Sequence, residues 1–148
     1  MGFTDLFGGR RVRKTHCRVK LNALMDDLSA VLGLLKTKIK NKPERTEISA
    51  AQAGLIKASG LIAGGKYDLK SETAALEKLI ERMSAEIEPP KKFSLPGSGG
   101  TEALAHLART RARICEILAW EIKAKAPAVY LNRLSDYLFL TALKNTRK

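Results

Sequence analysis

A long run of apolar residues at three- and four-residue steps is the strongest constraint that this sequence places on its fold. The run consists of Leu21, Leu24, Met25, Leu28, Val31, Leu32, Leu35 and Ile39. Because an α-helix turns once in about 3.6 residues, these side chains share one side of a long helix. Such a helix must bury its apolar side against other elements of the fold.

The second and third helices are each predicted from a starting residue and a stop signal. A break at residues 40–44 precedes Thr46, which we expect to start the second helix, and the glycine pair at 64–65 ends it. Ser71 opens the third helix. It must stop before the two prolines at 89–90, because proline lacks an amide donor and clashes with the preceding turn.

The last third of the chain predicts two more helices after a loop rich in proline and glycine. The loop covers residues 89–100, Thr101 caps a fourth helix that runs to about Lys125, and Pro127 stands near the start of a fifth. No segment gives a convincing strand pattern. We therefore predict an all-α fold, a five-helix bundle, with residues 1–148 in a single domain.

The chain is strongly basic, with 27 Lys and Arg against 15 Asp and Glu and a formal net charge of +12. This charge favours anionic partners such as nucleotides, nucleic acid or membrane surfaces. No apolar run approaches the roughly 18 residues of a membrane span, so a membrane partner is not expected. Cys17 and Cys115 show neither metal-ligand nor disulfide spacing, which predicts no metal ligands and a reducing, cytoplasmic compartment.

The predicted fourth helix has two organised faces. Its apolar face comprises Leu104, Leu107, Ala108, Cys115, Leu118 and Ile122, and a second stripe comprises His106, Arg109, Arg113, Glu116 and Trp120. The stripe places the guanidinium groups of Arg109 and Arg113 one turn apart, which suits a phosphate or a carboxylate. On spacing alone, a solvated face with charge pairs between neighbouring turns is the commoner interpretation.

Several motifs occur together, in order, along the chain. From the N-terminus they are Leu6-Phe7-Gly8-Gly9, Lys14, Arg18-Val19, Asp26-Asp27-Leu28, Phe93-Ser94-Leu95-Pro96-Gly97, His106-Leu107-Ala108-Arg109-Thr110 with Arg113 and Glu116, and the run from Asn132 to Phe139. They resemble the L-F-G-G, S-K-x-x-x-R-V, D-E-L, F-x-L-P-G, H-x-A-R-T-x-x-x-R-x-x-E and C-terminal signatures of the PduO-type ATP:corrinoid adenosyltransferase family.

This resemblance implies a homotrimeric five-helix bundle that binds ATP and a corrinoid between neighbouring subunits. The implied reaction transfers the 5′-deoxyadenosyl group of ATP to Co(I) of the corrinoid, which yields adenosylcobalamin and triphosphate. The implied cofactors and substrates are ATP, Mg²⁺ and cobalamin, and the implied electron donor is a protein such as a flavoprotein. The protein contributes positioning and electrostatics to such a reaction.

The resemblance also assigns roles to individual residues. It implies ATP contacts for Thr4, Lys14, Arg113, Glu116 and Asn132, and corrinoid contacts for Asp26, Phe93 and Arg109. Asp26 and Arg109 are implied to form a pair of charges. Phe93 is implied to press under the corrin ring and displace the lower cobalt ligand, so that Co(II) can be reduced. Phe93 and Arg113 are the implied catalytic residues.

The N-terminus departs from the family pattern. Family members carry a T-R-x-G-D-x-G-x-T loop that wraps the triphosphate, whereas M-G-F-T stands here and only Gly2 and Thr4 match the end of that loop. We therefore expect the part of the ATP site that wraps the triphosphate to be shorter than in other family members. Ile114 and Ile117 also stand where the family has arginines.

Other interpretations are compatible with the sequence. The missing loop suggests a non-catalytic ATP- or corrinoid-binding homologue. The net charge and the basic run at residues 10–14 suggest a basic helical nucleic-acid-binding protein, although the chain shows no aromatic stacking platform or recognition-helix motif. Phe93, beside a Pro-Gly loop, is also compatible with a plug of the core.

Overall fold

The computed structural model describes residues 1–147, in which five helices follow a small antiparallel sheet. The elements are β1 (Phe3–Asp5), β2 (Arg11–Arg13), α1 (Cys17–Lys38), α2 (Lys42–Ile62), α3 (Lys70–Glu86), α4 (Gly100–Glu121) and α5 (Lys125–Lys144). The prediction of five helices is confirmed, and the prediction of no strand is wrong. None of the helices in this described part of the chain combines the length and hydropathy of a membrane span.

The two strands escape detection by periodicity because each has three residues. Their turn rests on Gly8 and Gly9, whose φ angles of 83° and 81° lie in the left-handed region that glycine adopts readily. Val12 is buried between two exposed arginines, as expected for a strand with one buried side. The hairpin docks on the end of α2, where the Phe7 amide donates to the Ala63 carbonyl at 3.0 Å.

The second helix begins at Lys42 and not at the predicted Thr46. The side-chain oxygen of Asn41 caps it by accepting a hydrogen bond from the Glu44 amide at 3.0 Å. Pro43 lies in the first turn, where a backbone amide has no partner within the helix in any case. Pro43 therefore belongs to the first turn of this helix and does not lie in a break before it.

Helix α4 packs against both α1 and α5. Small side chains make up most of its buried face, which includes Ala105, Ala108, Ala112, Cys115 and Ala119. Because the distance between packed helices depends on the side chains at the contact, this face brings α4 close to its neighbours. The predicted leucine face is wrong at Leu107, which is 41% exposed.

A tight connection joins α4 to α5. Helix α4 ends at Glu121, before the predicted Lys125, because Lys123 adopts a left-handed φ of 58°. The Ala124 amide then donates to the Ala119 carbonyl at 2.8 Å, which satisfies one of the last carbonyls of the helix. Helix α5 starts immediately and packs along α4, so side chains from both helices can contribute to one site.

The two cysteines are free and lie in different environments. Cys17 is exposed at the first residue of α1. Cys115 is buried, and burial raises the pKa of its thiol to about 12. The Cys115 thiol therefore stays protonated at neutral pH.

Candidate functional site

Two of the predicted corrinoid residues, Phe93 and Arg109, line the same depression, which has a volume of about 740 Å³. Residues 90–96 form one wall, and His106 of α4 and Phe139 of α5 complete the lining with Arg109. The Phe93 side chain is fully exposed, so it does not plug the core. An exposed aromatic ring beside a depression of this size is available to contact a ligand.

A buried carboxylate ties the loop to α4 beside this depression. Oε2 of Glu102 accepts hydrogen bonds from the backbone amides of Gly97 and Ser98 at 2.8 and 3.0 Å. Oε1 of Glu102 lies 3.3 Å from Nε2 of His106, and Nδ1 of His106 accepts from Nε of Arg109 at 3.2 Å. The loop, the histidine and the arginine therefore belong to one hydrogen-bonded network.

The imidazole of His106 is neutral in this network. Burial and the neighbouring Arg109 cation lower its pKa, and Glu102 opposes that shift. A neutral imidazole has one donor and one acceptor nitrogen. Because Nδ1 accepts from Arg109, the hydrogen-bond partners place the proton on Nε2, facing Glu102.

A second polar cluster joins α4 to α5. Oε1 of Glu116 accepts from Nδ2 of Asn132 at 3.0 Å, and Oε2 accepts from Nε1 of Trp120 at 3.2 Å. Two of the predicted ATP residues, Glu116 and Asn132, are thus in contact. Arg113 is exposed on the same side of α4, one turn beyond Arg109.

The remaining predicted ATP residues lie on or next to the hairpin. Thr4 is half-buried in β1, opposite Val12, and Lys14 is exposed directly after β2. The guanidinium carbons of Arg11 and Arg13 lie 5.7 and 5.9 Å from the centre of the Phe3 ring. The hairpin therefore presents several cations to solvent.

Asp26 lies apart from Arg109 within one chain. It is exposed and lines a different depression, between α1 and α2. Among the ion pairs of residues 1–147, the neighbouring Asp27 contacts Arg111 at 3.1 Å, and Asp26 takes part in none. The implied pair of Asp26 and Arg109 is therefore not formed inside a single subunit.

Glu102 and Trp120 complete the two clusters, and the family motifs assign a role to neither. The sequence signal for Glu102 is its position four residues before His106, which places both side chains on one face of α4. That spacing is common on helix surfaces. Burial distinguishes this pair, with Glu102 at 2% and His106 at 7% exposure, and burial is not visible in the sequence.

The described residues form a helical bundle with two polar clusters along α4, one of them beside a depression. The family model described as cobalamin adenosyltransferase matches residues 1–145. The chain therefore belongs to the cobalamin adenosyltransferase family.

Curated relatives show the extent of the similarity. The chain is 36% identical to the corrinoid adenosyltransferase PduO of Salmonella typhimurium, in an alignment of 154 positions that covers 95% of this chain and 46% of that protein. It is 32% identical to the corrinoid adenosyltransferase of Bacillus subtilis, with 95% of this chain and 80% of that protein covered. This chain thus spans about half the length of the PduO relative.

Solved structures of the same type share the fold. A variant of the PduO-type ATP:corrinoid adenosyltransferase from Lactobacillus reuteri, complexed with cobalamin and ATP, matches with a TM-score of 0.87 at 25% identity and covers 96% of this chain and 87% of that one. A second variant of that protein, complexed with ATP, also gives a TM-score of 0.87. The resemblance to the PduO-type family is confirmed.

Proposed function

We propose that this chain transfers the 5′-deoxyadenosyl group of ATP to Co(I) of a corrinoid. The observation that carries the proposal is the order of side chains along α4. Arg109 lies at the depression below Phe93, Arg113 follows one turn later, and Glu116 holds Asn132 across from α5. A depression with aromatic walls next to cations and an amide suits a large ring bound beside a polyanion. Family membership and the relatives' complexes with cobalamin and ATP support this assignment.

In the proposed reaction, Co(I) donates its electron pair to C5′ of the ribose. A Co–C bond forms while the C5′–O bond breaks, and triphosphate leaves with the electron pair of that bond. We assign Lys14 and Arg113 to the departing triphosphate, because fixed cations stabilise developing negative charge. Thr4 and Asn132 orient the nucleotide, and Glu116 holds the amide of Asn132 in place.

On the corrinoid side, we assign Phe93 to the lower face of the ring, where it displaces the lower cobalt ligand and makes Co(II) easier to reduce. Arg109 uses Nε for His106, which leaves both terminal nitrogens for another acceptor. Asp26 of a neighbouring subunit is the acceptor we propose. Asp26 and Arg109 line different depressions of one chain, and this separation supports a homotrimer in which each site is completed across an interface.

Mg²⁺ is proposed to enter with ATP. No group of three or more His, Cys, Asp or Glu side chains suited to a metal ion occurs among the described residues. Mg²⁺ commonly binds substrate phosphates with one or two carboxylates and water, so the residues present fit an ion carried by the nucleotide. A flavoprotein or similar donor supplies the electron to Co(II), and the two free thiols fit the predicted cytoplasmic location.

The proposed function is tested by mixing the protein with MgATP, cob(II)alamin and a reductant. We expect the visible spectrum of adenosylcobalamin to appear, with one triphosphate released per Co–C bond. Reactions without ATP provide the control. ATP and corrinoid binding without product would instead identify a non-catalytic homologue, and tight, salt-dependent RNA or DNA binding without corrinoid binding would identify a nucleic-acid-binding protein.

The proposed assembly has its own test. We expect light scattering to give the mass of a trimer, and Asp26→Ala to weaken corrinoid binding although Asp26 lies outside the depression that holds Phe93. Asp27→Ala provides a matched control, because Asp27 pairs with Arg111 in its own chain. Equal effects of the two substitutions on corrinoid affinity would contradict a pair between Asp26 and Arg109.

A further inference from the structure

Glu102 is an unusual residue to bury. At 2% exposure it is the least exposed charged side chain in the described part of the bundle. Burying a carboxylate costs free energy unless hydrogen bonds and charges replace its water. Three N–H groups surround Glu102, from Gly97, Ser98 and His106. Both oxygens of the carboxylate are therefore engaged. His106 lines the depression, and Gly97 and Ser98 directly follow the loop residues that form its other wall.

We propose that Glu102 is a positioning residue that holds the Phe93 loop and the guanidinium of Arg109 as one unit facing the corrinoid. The inference rests on the proposed function and deepens it, because the family motifs assign no role to this position. The carboxylate of Glu102 connects the two proposed corrinoid residues, Phe93 and Arg109, which do not contact each other directly.

The loop depends on Glu102 because it has little other attachment to the bundle. All side chains from residue 88 to residue 97 are exposed, so the loop buries almost no apolar surface. Gly97 has a φ of 119°, a conformation that glycine tolerates, and its amide points at Glu102. One further bond holds this end of the loop, from the Arg147 amide to Oγ of Ser98 at 3.2 Å.

The connection to Arg109 has a fixed direction. A carboxylate only accepts hydrogen bonds and a guanidinium only donates them. His106 lies between the two and must donate from Nε2 and accept at Nδ1. One imidazole tautomer satisfies both neighbours, so Glu102 selects the tautomer that keeps Nε of Arg109 bound and its terminal nitrogens free.

Two substitutions separate the roles of Glu102. Glu102→Gln retains one oxygen for the loop amides but places an NH₂ group against Nε2 of His106. The imidazole must then move its proton to Nδ1, where it opposes the N–H of Arg109. Glu102→Ala removes both connections. Glu121→Gln, at the exposed end of α4, provides the control for the chemical change.

The first readouts use the ligand-free protein. We expect ¹⁵N NMR to show the Nε2–H tautomer of His106 in the wild type and the Nδ1–H tautomer in Glu102→Gln. The amides of Gly97 and Ser98 should exchange with solvent about tenfold faster in Glu102→Ala, since each loses a charge-assisted hydrogen bond. In Glu102→Gln, which keeps an uncharged oxygen for these amides, the increase in their exchange rate should be smaller.

The second readout is ligand affinity. We expect Glu102→Gln to weaken cobalamin binding about tenfold, the effect of one lost charge-assisted hydrogen bond, while the Kd for MgATP is unchanged. The wild-type tautomer and wild-type cobalamin affinity in Glu102→Gln would overturn the proposal. Equal loss of both affinities together with a lower Tm would also overturn it, because that is the result of a purely structural role.

Failure of this proposal is distinguishable from failure of the proposed function. The tautomer and the amide exchange report on Glu102 even if the wild type makes no adenosylcobalamin. Glutamine has nearly the volume of glutamate. The tautomer and affinity measurements on Glu102→Gln therefore test the proposal even if Glu102→Ala does not fold. A wild type that binds no cobalamin would contradict both proposals, whereas binding without turnover would contradict only the adenosyl transfer.

Discussion

The two halves of the proposed site are built in contrasting ways. Within one chain, the corrinoid half comprises Phe93, Glu102, His106 and Arg109, and hydrogen bonds to the buried Glu102 and His106 connect the loop to α4; the exposed Asp26 is proposed to come from a neighbouring subunit. The nucleotide half comprises Thr4, Lys14, Arg113, Glu116 and Asn132, and its two cations are exposed. A side chain held by buried bonds loses its freedom on folding, whereas an exposed one loses it when the ligand binds. Preorganisation is therefore concentrated in the corrinoid half.

The largest effect is expected in the nucleotide half. Arg113→Ala should lower kcat/KM for ATP by on the order of 10³-fold, because it removes a cation from the developing triphosphate charge. The cobalamin Kd should stay unchanged, since Arg113 is exposed and lies outside the Glu102 network. Steady-state kinetics and cobalamin titration measure the two quantities.

Arg82→Ala is the matched control for Arg113→Ala, because Arg82 lies on α3 and pairs with Glu47 of α2 at 2.7 Å. Its kinetic constants should equal those of the wild type. If Arg113→Ala weakened ATP and cobalamin alike, the two halves would not be independent, and the contrast between them would have to be abandoned.

The next effect is expected in the corrinoid half. Phe93→Ala should slow adenosylation from cob(II)alamin by on the order of 10²-fold, because the ring that positions the substrate is lost. The spectrum of four-coordinate Co(II) should disappear, and the MgATP Kd should not change. Because the Phe93 side chain is fully exposed, Tm should also stay constant. A lower Tm would show that Phe93 packs against the protein and would contradict its assignment to the substrate.

A change in the scaffold should affect both halves equally. A Cβ at Gly54 would overlap the hydroxyl of Tyr130, which donates to the Ala51 carbonyl at 2.8 Å in the core. Gly54→Ala should therefore lower the free energy of unfolding by about 1–3 kcal/mol, as measured in urea. The ratio of ATP to cobalamin affinity should not change. A selective loss of one affinity would place α2 closer to that half than the structure indicates.

The smallest effect is a pH dependence confined to the corrinoid half. The pKa of folded His106 lies below its ordinary value of about 6.5, so the unfolded chain takes up the proton first as the pH falls. The contribution of neutral His106 to the free energy of unfolding is complete above the pKa that this residue has in the unfolded chain. It is lost as the pH falls through the pKa that His106 has in the folded protein. Its slope cannot exceed about 1.4 kcal/mol per pH unit for one group.

Protonation of His106 also removes the acceptor at Nδ1, so cobalamin affinity should fall with stability while ATP affinity does not. His106→Gln, compared with the wild type in urea unfolding at several pH values, should remove this slope. A slope that persists in the variant would assign the titration to another group.

The sequence predicts most of the helices because their signals are local and repeated. The apolar run from Leu21 to Ile39 coincides closely with α1. The predicted helix boundaries are wrong where one residue type is compatible with two local conformations. Pro43 fits the first turn of a helix as well as a break, and Lys123 ends α4 through a backbone angle that its side chain does not reveal. The hairpin is missed because three-residue strands are too short for periodicity.

Prediction of the site has a comparable limit. Motif resemblance identifies Glu116 and Asn132, which the fold brings into contact at 3.0 Å. It does not identify Glu102, because its importance comes from burial and from the amides of a loop that folds back onto it. The buried face of α4 is misjudged for a similar reason, since its alanines carry little hydrophobic signal although they determine how closely the helices pack.

The unequal environments of the two cysteines make the native chain suitable for site-specific labelling. Thiolates react with maleimides and thiols do not, and Cys115 is both inaccessible and protonated. A fluorophore or spin label should therefore attach at Cys17, where the hairpin meets α1, without any prior removal of cysteines. A probe there would report nucleotide-driven ordering of Lys14 and its neighbours in real time.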